Sequence, residues 1–370
     1  MVSFGPVPVG CGSEAVSPAA EGALTPPQQR HAARHRKQSL MAKLSDSGFE
    51  EDLVSSPTRR DVSLPGSEEP EPAAGQLSNW YLQYGDVGFK IQKEKEAQFH
   101  LCNSLAHQPQ LTAEARCKLV SWLIPVHRHF RLSFECCCLT VNIMDRFLAS
   151  TPVAADCFQL LGVTALLLAC KQVEVCSPSV GHLLSLCCDA FTKEQLCNLE
   201  CLVLLRLNFR LAAPTLAFFL DYFANRIHAA RLVIENNSHD SSSLKGNLGQ
   251  YRMLARKVCE LTLADYAFNK YPPSLTAGCA LTLACELLKT DAASQLQRED
   301  SFRDKLRTQS VSVQARENTL CSEGDPFAVL DYFLSPGQES YSCYLVQECK
   351  DNLKLLVSLN QETLEVMPTM

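Results

Sequence analysis

The chain of 370 residues is 46% hydrophobic and 20% charged, with a formal net charge of −6, so it is long enough for two ordinary domains. The acidic balance disfavours a broad nucleic-acid surface, and the N-terminus lacks the cationic start and apolar core of a secretory signal. The longest apolar run, Leu160 to Cys170, is far shorter than the roughly 20 residues of a membrane span. These features predict a cytoplasmic or nuclear protein without a membrane or nucleic-acid partner.

The first 76 residues form a segment of distinct composition, rich in Pro, Ser, Ala and Gly and poor in aromatic residues. Such a segment cannot bury enough apolar surface to offset chain entropy, so we expect residues 1–76 to be a disordered regulatory tail. Ser17, Thr25 and Ser56 each precede a Pro and are candidate phosphorylation sites for a proline-directed kinase. Ser-Pro pairs are equally expected in any disordered tail.

Hydrophobic periodicity over residues 112–212 predicts five helices joined by short links. Thr112 can cap the first helix and Ser133 the second. The third helix, from about Ala154 to Lys171, is apolar nearly all round, which predicts the enclosed central helix of a bundle. A short fourth helix and a fifth with a capping box complete the series.

A weaker helical series occupies residues 213–360, after an N-terminal helix and linker at 77–111. Its polar stretch at about 290–325 is longer than a compact domain normally allows between elements, so we expect a flexible insertion there. A short tail follows at 361–370. The whole pattern predicts an all-α protein of two tandem five-helix bundles.

The 19 cysteines are scattered singly and in runs, with no CxxC pair. A zinc site requires repeated short Cys/His spacings, and a disulfide framework requires a small secreted chain. We therefore expect free thiols serving as small apolar core groups and no metal site. The sequence also lacks a phosphate-binding Gly-rich loop, a hydrolase motif and a kinase signature, so it indicates neither a catalytic residue nor a cofactor.

Two charged residues lie in apolar segments of the sequence. Lys171 ends the most apolar predicted helix, and Glu200 lies within the apolar run of the fifth. Because removing either charge from water is costly unless it is paired, we expect the fold to bring Lys171 and Glu200 together. The residues themselves favour an internal ion pair that fixes helix register over a polar bracket at an interface with another chain.

Motifs spread in order over about 110 residues resemble the cyclin box. They are Trp122-Leu123, Val141 to Leu148, Gln159 to Thr164, Leu167 to Lys171, Asn198-Leu199-Glu200, Leu207-Asn208-Phe209 and Ala213-Pro214-Thr215. The second bundle resembles the degenerate C-terminal cyclin fold, through Leu263 to Tyr266 and Tyr271 to Leu275. The resemblance implies two tandem cyclin-fold bundles, with 112–212 as the N-terminal cyclin box.

The resemblance implies a non-catalytic subunit that binds and activates a cyclin-dependent Ser/Thr protein kinase. In cyclins the counterparts of Lys171 and Glu200 hydrogen-bond the kinase around its regulatory helix, and apolar neighbours, here Leu204 and Phe209, pack against it. The resemblance thus favours the interface role for the charged pair. It also implies a role in cell-cycle control, or in multiciliated-cell differentiation and centriole amplification. A cyclin-fold scaffold or adaptor without kinase activation is the alternative.

Many cyclins also dock Arg-x-Leu motifs of substrate or inhibitor proteins in a groove on the first helix of the box. The matching positions are Ala115, Lys118, Leu119, Trp122, Pro125 and Gln159. Leu119, Trp122 and Gln159 keep the expected character. Lys118 replaces an aliphatic residue, and Pro125 replaces the acidic residue that would pair with the motif's Arg, so we expect weak or altered docking.

Overall fold

The computed structural model describes residues 77–237, 248–306, 330 and 341–361, with only the backbone described at 234–237, 248 and 291–306. Within these ranges the chain forms ten α-helices, two short 3-10 helices and no β-strand. The α-helices are α1 (Asn79–Phe99), α2 (Ala113–His129), α3 (Phe134–Ser150), α4 (Phe158–Val173), α5 (Val180–Ser185), α6 (Lys193–Arg206), α7 (Leu216–Asn237), α8 (Leu248–Ala264), α9 (Pro273–Leu306) and α10 (Cys343–Leu359). The 3-10 helices are Ala155–Cys157 and Tyr266–Lys270. The all-α fold class is confirmed.

The first bundle, α2 to α6, begins its helices where the capping residues predict. The Thr112 hydroxyl accepts a hydrogen bond from the first turn of α2, and the Ser133 hydroxyl does the same for α3. At α6, the Thr192 hydroxyl accepts from the Gln195 N–H at 3.1 Å while the Gln195 side chain accepts from the Thr192 N–H at 2.8 Å. This reciprocal capping box satisfies two N–H groups that the helix leaves unpaired.

Helix α4 is the core of the first bundle. All of its residues from Phe158 to Cys170 except Gln159 are buried, and it packs against α2, α3, α5 and α6. By length and composition the segment Ala155–Val173 could cross a membrane, but 72% of its apolar window is buried inside the protein. Neighbouring helices therefore cover this apolar surface, and Lys171 emerges where the burial ends.

The second bundle is organised around α9, which packs against α7, α8 and α10. These four helices are the part of this bundle that lies in the described residues. A flexible insertion is expected from about residue 290, but α9 continues as helix to Leu306, so the first part of that stretch is helical. The remainder of that stretch, 307–325, lies outside the described residues, as do the tail at 1–76 and residues 362–370.

The two bundles share a buried polar junction. Arg116 on α2 is fully buried and donates to both carboxylate oxygens of Asp145 on α3, at 2.8 and 2.7 Å. It also donates to the carbonyls of Leu263 at 3.1 Å and Ala264 at 3.4 Å, at the end of α8. Asn269 accepts from Arg116 at 3.2 Å and donates to Asp145 at 3.1 Å. A charge that is buried but fully hydrogen-bonded therefore ties the bundles together.

Helix α1 packs on the second bundle through aromatic and polar contacts. Phe89 stacks on Tyr222 of α7 with ring centroids 4.4 Å apart. At its other end, Glu96 accepts from the Ser274 N–H at 2.6 Å, in the first turn of α9, and forms an ion pair with Lys93 at 2.7 Å. A carboxylate at that helix end is favourable, because the first-turn N–H groups point toward it.

Seventeen of the cysteines lie in the described residues, where all are free thiols and ten are buried. The expectation of small apolar core groups therefore agrees with their placement. Cys136 and Cys170 lie with their sulfur atoms 3.5 Å apart between α3 and α4. The hydrogen bond with the Cys170 thiol and, after it, burial raise the pKa of Cys136, so its thiolate is disfavoured.

Glu135, in the first turn of α3, should make the free energy of unfolding depend on pH. Its carboxyl accepts from the Thr215 hydroxyl, and burial raises its pKa to about 7 from an ordinary 4.5. Between pH 4.5 and pH 7 the Glu135 carboxyl is deprotonated in the unfolded chain but still protonated in the folded one. The folded state therefore becomes less stable as the pH rises through this range.

We expect Glu135→Gln to remove this pH dependence. The variant's free energy of unfolding minus that of the natural chain should be larger at pH 8 than at pH 5, by on the order of 2 kcal/mol. Urea denaturation of both proteins across that range measures the difference. A difference that stays constant with pH would contradict the prediction.

Candidate functional site

Lys171 and Glu200 form an ion pair at the surface of the first bundle. Lys171 lies in the last turn of α4 and Glu200 in the middle of α6, and the Lys171 Nζ atom donates to Glu200 Oε1 at 2.8 Å. The Lys171 side chain is 42% exposed and that of Glu200 is 14% exposed. The predicted proximity is confirmed. The pair is open enough for a second protein to reach.

Phe209 follows α6 in an unusual backbone conformation. Its φ of 56° lies in the left-handed region, as does that of Asn208 at 52°. For a bulky residue this conformation costs on the order of 1–3 kcal/mol and occurs where the surroundings enforce it, often at functional sites. Here the Phe209 N–H donates to the Leu204 carbonyl at 2.9 Å, which closes the end of the helix.

Phe209 is 67% exposed as a residue, although an aromatic ring gains free energy by burial. Leu205, in the last turn of α6, is 64% exposed, whereas Leu204 is half-buried. Val173 and Val175, just beyond Lys171 in the chain, are also exposed. Apolar side chains around a polar pair are typical of a protein-binding surface.

The candidate surface consists of one ion pair and exposed apolar side chains. Among the described residues no group of three or more His, Cys, Asp or Glu side chains is placed to hold a metal ion. The Lys171 and Glu200 side chains are paired with each other, and Leu205 and Phe209 are exposed. This chemistry suits recognition of another polypeptide.

The groove positions lie on α2 and on the first turn of α4. Leu119 is buried against Gly162 of α4, where a Cβ atom would lie 3.0 Å from a Leu119 side-chain carbon. Glycine therefore allows the close approach of the two helices. Ala115, Trp122 and Gln159 are half-buried, which leaves part of each side chain open to a ligand.

The two departures from the usual groove are both exposed. Lys118 forms an ion pair with Glu114 at 2.7 Å, and both side chains are about three-quarters exposed. Pro125 lies within α2 with its ring exposed. The candidate phosphorylation sites Ser17, Thr25 and Ser56 lie outside the described residues.

Sequence reasoning missed two features of this region. The exposed Leu205 looked like any other apolar residue of α6, although its position one turn from Cys201 on an exposed face could have indicated it. Arg116 lies on the apolar stripe of α2, at the helical spacing of Leu119 and Leu123, and a charge in such a stripe signals a buried partner.

Comparison with known proteins places the chain in a family. The cyclin N-terminal domain model matches residues 88–212, and the cyclin C-terminal domain model matches residues 214–306. Cyclin-O protein B of Xenopus laevis is 43% identical over 337 residues, which cover 90% of this chain and 79% of the relative. Cyclin-O of Homo sapiens is 52% identical over 239 residues, 64% of each chain. A crystal structure of a viral cyclin from herpesvirus saimiri covers 73% of this chain and 98% of the viral one, with 21% identity and a TM-score of 0.47. On the strength of the matching domains and relatives, the chain belongs to the cyclin family.

Proposed function

We propose that this cyclin binds and activates a cyclin-dependent Ser/Thr protein kinase. The contact surface comprises Lys171, Glu200, Leu204 and Phe209. The observation that carries the proposal is the strained, 67% exposed Phe209 beside the helix that holds Glu200. An exposed aromatic ring in a costly backbone conformation is explained if a partner buries it.

The mechanism requires no chemistry from the cyclin. Lys171 and Glu200 would hydrogen-bond backbone groups next to the kinase's regulatory helix while Phe209 packs against that helix. A surface that fits the helix only in its inward position stabilises the active state by the difference in affinity. The kinase's own Lys–Glu pair can then form and its activation loop can open.

The cellular role proposed is cell-cycle control, or multiciliated-cell differentiation and centriole amplification, in the cytoplasm or the nucleus. The similarity to cyclin-O proteins of frog and human supports the assignment within the family. The remaining candidate function is a cyclin-fold scaffold that binds partners without activating a kinase, which the outward-facing apolar residues would also serve.

Reconstitution with a panel of purified cyclin-dependent kinases tests the proposal. We expect at least one kinase to bind the full chain and to phosphorylate a peptide substrate well above the rate of that kinase alone. Binding without a rise in rate would favour the scaffold. Absence of binding across the panel, with a known cyclin–kinase pair active in the same assay, would contradict the proposal.

The groove gives a separate prediction on substrate and inhibitor proteins. Because Lys118 is cationic and Pro125 supplies no carboxylate, an Arg-x-Leu peptide should bind the natural chain weakly. The double variant Lys118→Ile with Pro125→Glu should bind it at least about tenfold more tightly, since it removes a repulsion and adds a charge-assisted partner. Glutamate at this position also restores a helical N–H donor.

Fluorescence anisotropy with a labelled peptide measures both affinities. The control is a second peptide in which Ala replaces the Arg. Its affinities for the natural chain and for the double variant should differ much less. Equal affinity of the natural chain and the double variant for the Arg-containing peptide would show that these two positions do not govern docking.

A further inference from the structure

A cavity of about 100 Å³ lies where α1, the first bundle, the link between bundles and the second bundle meet. It is lined on one side by Phe99 at the end of α1 and by Arg146 of α3, and on another by Pro214 of the link. The kinase-binding proposal does not use this cavity. Its volume suits a small group.

Two arginines stack on the buried Phe99 ring, which lines this cavity, and one of them, Arg146, lines the cavity as well. The guanidinium carbon of Arg146 lies 4.7 Å from the centroid of the Phe99 ring, and that of Arg210 lies 5.1 Å from it. Arg210, in the link that follows α6, is exposed and donates to Gln98 at 2.8 Å. Stacking on one ring holds both guanidinium planes in place and brings two positive charges close together.

Neither cation has an acidic partner in the described part of the chain. None of the ion pairs there includes Arg146 or Arg210. The Nη1 atom of Arg146 is buried without a hydrogen-bond partner in the described part of the chain. Burial, then repulsion by Arg210, lowers the pKa of Arg146 to about 10.

The two carboxylates that line the cavity are already neutralised by other groups. Asp145 is held by Arg116 through two hydrogen bonds of 2.8 and 2.7 Å. Glu96 pairs with Lys93 at 2.7 Å and accepts from the Ser274 N–H at 2.6 Å. Arg146 and Arg210 therefore remain uncompensated positive charges in the described part of the chain, which an anion would relieve.

We propose that a single phosphate group binds beside the Phe99 ring, through Arg146, which lines this cavity, and Arg210, which stacks on the same ring. The planar guanidinium fork matches the oxygens of a phosphate, and the charge of about −1.5 to −2 on a phosphorylated side chain at pH 7 balances two arginines, whereas a carboxylate balances one. The bound group would join α1, the first bundle and the link. The phosphate is either the inorganic ion or part of a phosphorylated side chain.

Thermal unfolding of the full-length protein tests the site. Inorganic phosphate should raise the melting temperature of the natural chain more than that of Arg210→Gln, because phosphate also stabilises proteins without binding a site, and sodium chloride at matched ionic strength should affect both proteins equally. O-phosphoserine replaces phosphate in a second titration. A larger shift of the natural chain with both ligands assigns the site to a phosphoryl group in general, and a larger shift with inorganic phosphate alone assigns it to the free ion; either result supports the proposal.

Variants locate the binding. Arg146→Gln and Arg210→Gln should each weaken phosphate binding at least about tenfold, measured by isothermal titration calorimetry. Arg206→Gln, an exposed cation of α6 four residues before Arg210, is the matched control and should bind like the natural chain. If Arg146→Gln fails to fold, Arg210→Gln carries the test, because its side chain is exposed. Equal shifts of the natural chain and Arg210→Gln with phosphate, or undiminished binding by Arg210→Gln, would overturn the proposal.

Discussion

Charge reversal of Glu200 to Lys is expected to abolish capture of a kinase while leaving the helical fold intact. Glu200 is only 14% exposed, so a bound partner would remove it from water completely, and loss of one member of such an interfacial pair costs about 2–5 kcal/mol. That is a loss of affinity of roughly 30-fold or more. Because Lys171 is 42% exposed, breaking the pair should lower the stability of the cyclin itself by about 1 kcal/mol or less.

The swapped variant, Lys171→Glu with Glu200→Lys, separates the two interpretations of this pair. It restores an ion pair between α4 and α6 but reverses the charges presented to a partner. If the pair only fixes helix register, the swap should restore both stability and kinase binding. If the pair is the polar bracket of the interface, circular dichroism should show native helicity and stability while kinase capture remains lost.

Co-purification with the kinase and urea denaturation measure these two outcomes on the same proteins. Lys193→Glu, an exposed position at the start of α6, is the control for a change of net charge on this helix. Its kinase capture should match that of the natural chain. Full kinase capture by the single variant Glu200→Lys would remove the charged pair from the interface.

Local chemistry explains why much of the fold was predictable. An apolar helix without a polar face can only be stable inside a bundle, and α4 lies there. A charge at the end of that helix and another in the apolar run of α6 each required a partner, and they are 2.8 Å apart. The caps at Thr112 and Thr192 depend on side chains within three residues, so they are visible in the sequence.

Other features depend on contacts that the sequence does not display. The left-handed backbone at Phe209 arises from the way the end of α6 closes. A sequence-based prediction would not expect it, because bulky residues rarely adopt a positive φ. The continuation of α9 to Leu306 occurs in a polar stretch, where helix and loop have similar local signals. The partners of Arg116 include the carbonyls of Leu263 and Ala264, nearly 150 residues along the chain, which no local pattern links to α2.

Replacing Arg116 with Met should lower the free energy of unfolding by about 3–5 kcal/mol, because it leaves Asp145 buried without its cation. That is a large share of the roughly 5–15 kcal/mol by which a folded domain is stable. The change also removes the donors to the Leu263 and Ala264 carbonyls, so the contact between the bundles should loosen first. Urea denaturation of the full chain measures the loss.

Two further variants decide whether the buried charge is the cause. Lys118→Met removes another cation from α2, one whose side chain is 76% exposed, and should leave the free energy of unfolding nearly unchanged. Adding Asp145→Leu to Arg116→Met removes the stranded carboxylate and should recover most of the lost stability, since two well-packed apolar groups can replace a buried pair. If the double variant were as unstable as Arg116→Met, the loss of stability would come from the severed contacts with α8. The junction would then depend more on hydrogen bonds between the bundles than on neutralising Asp145.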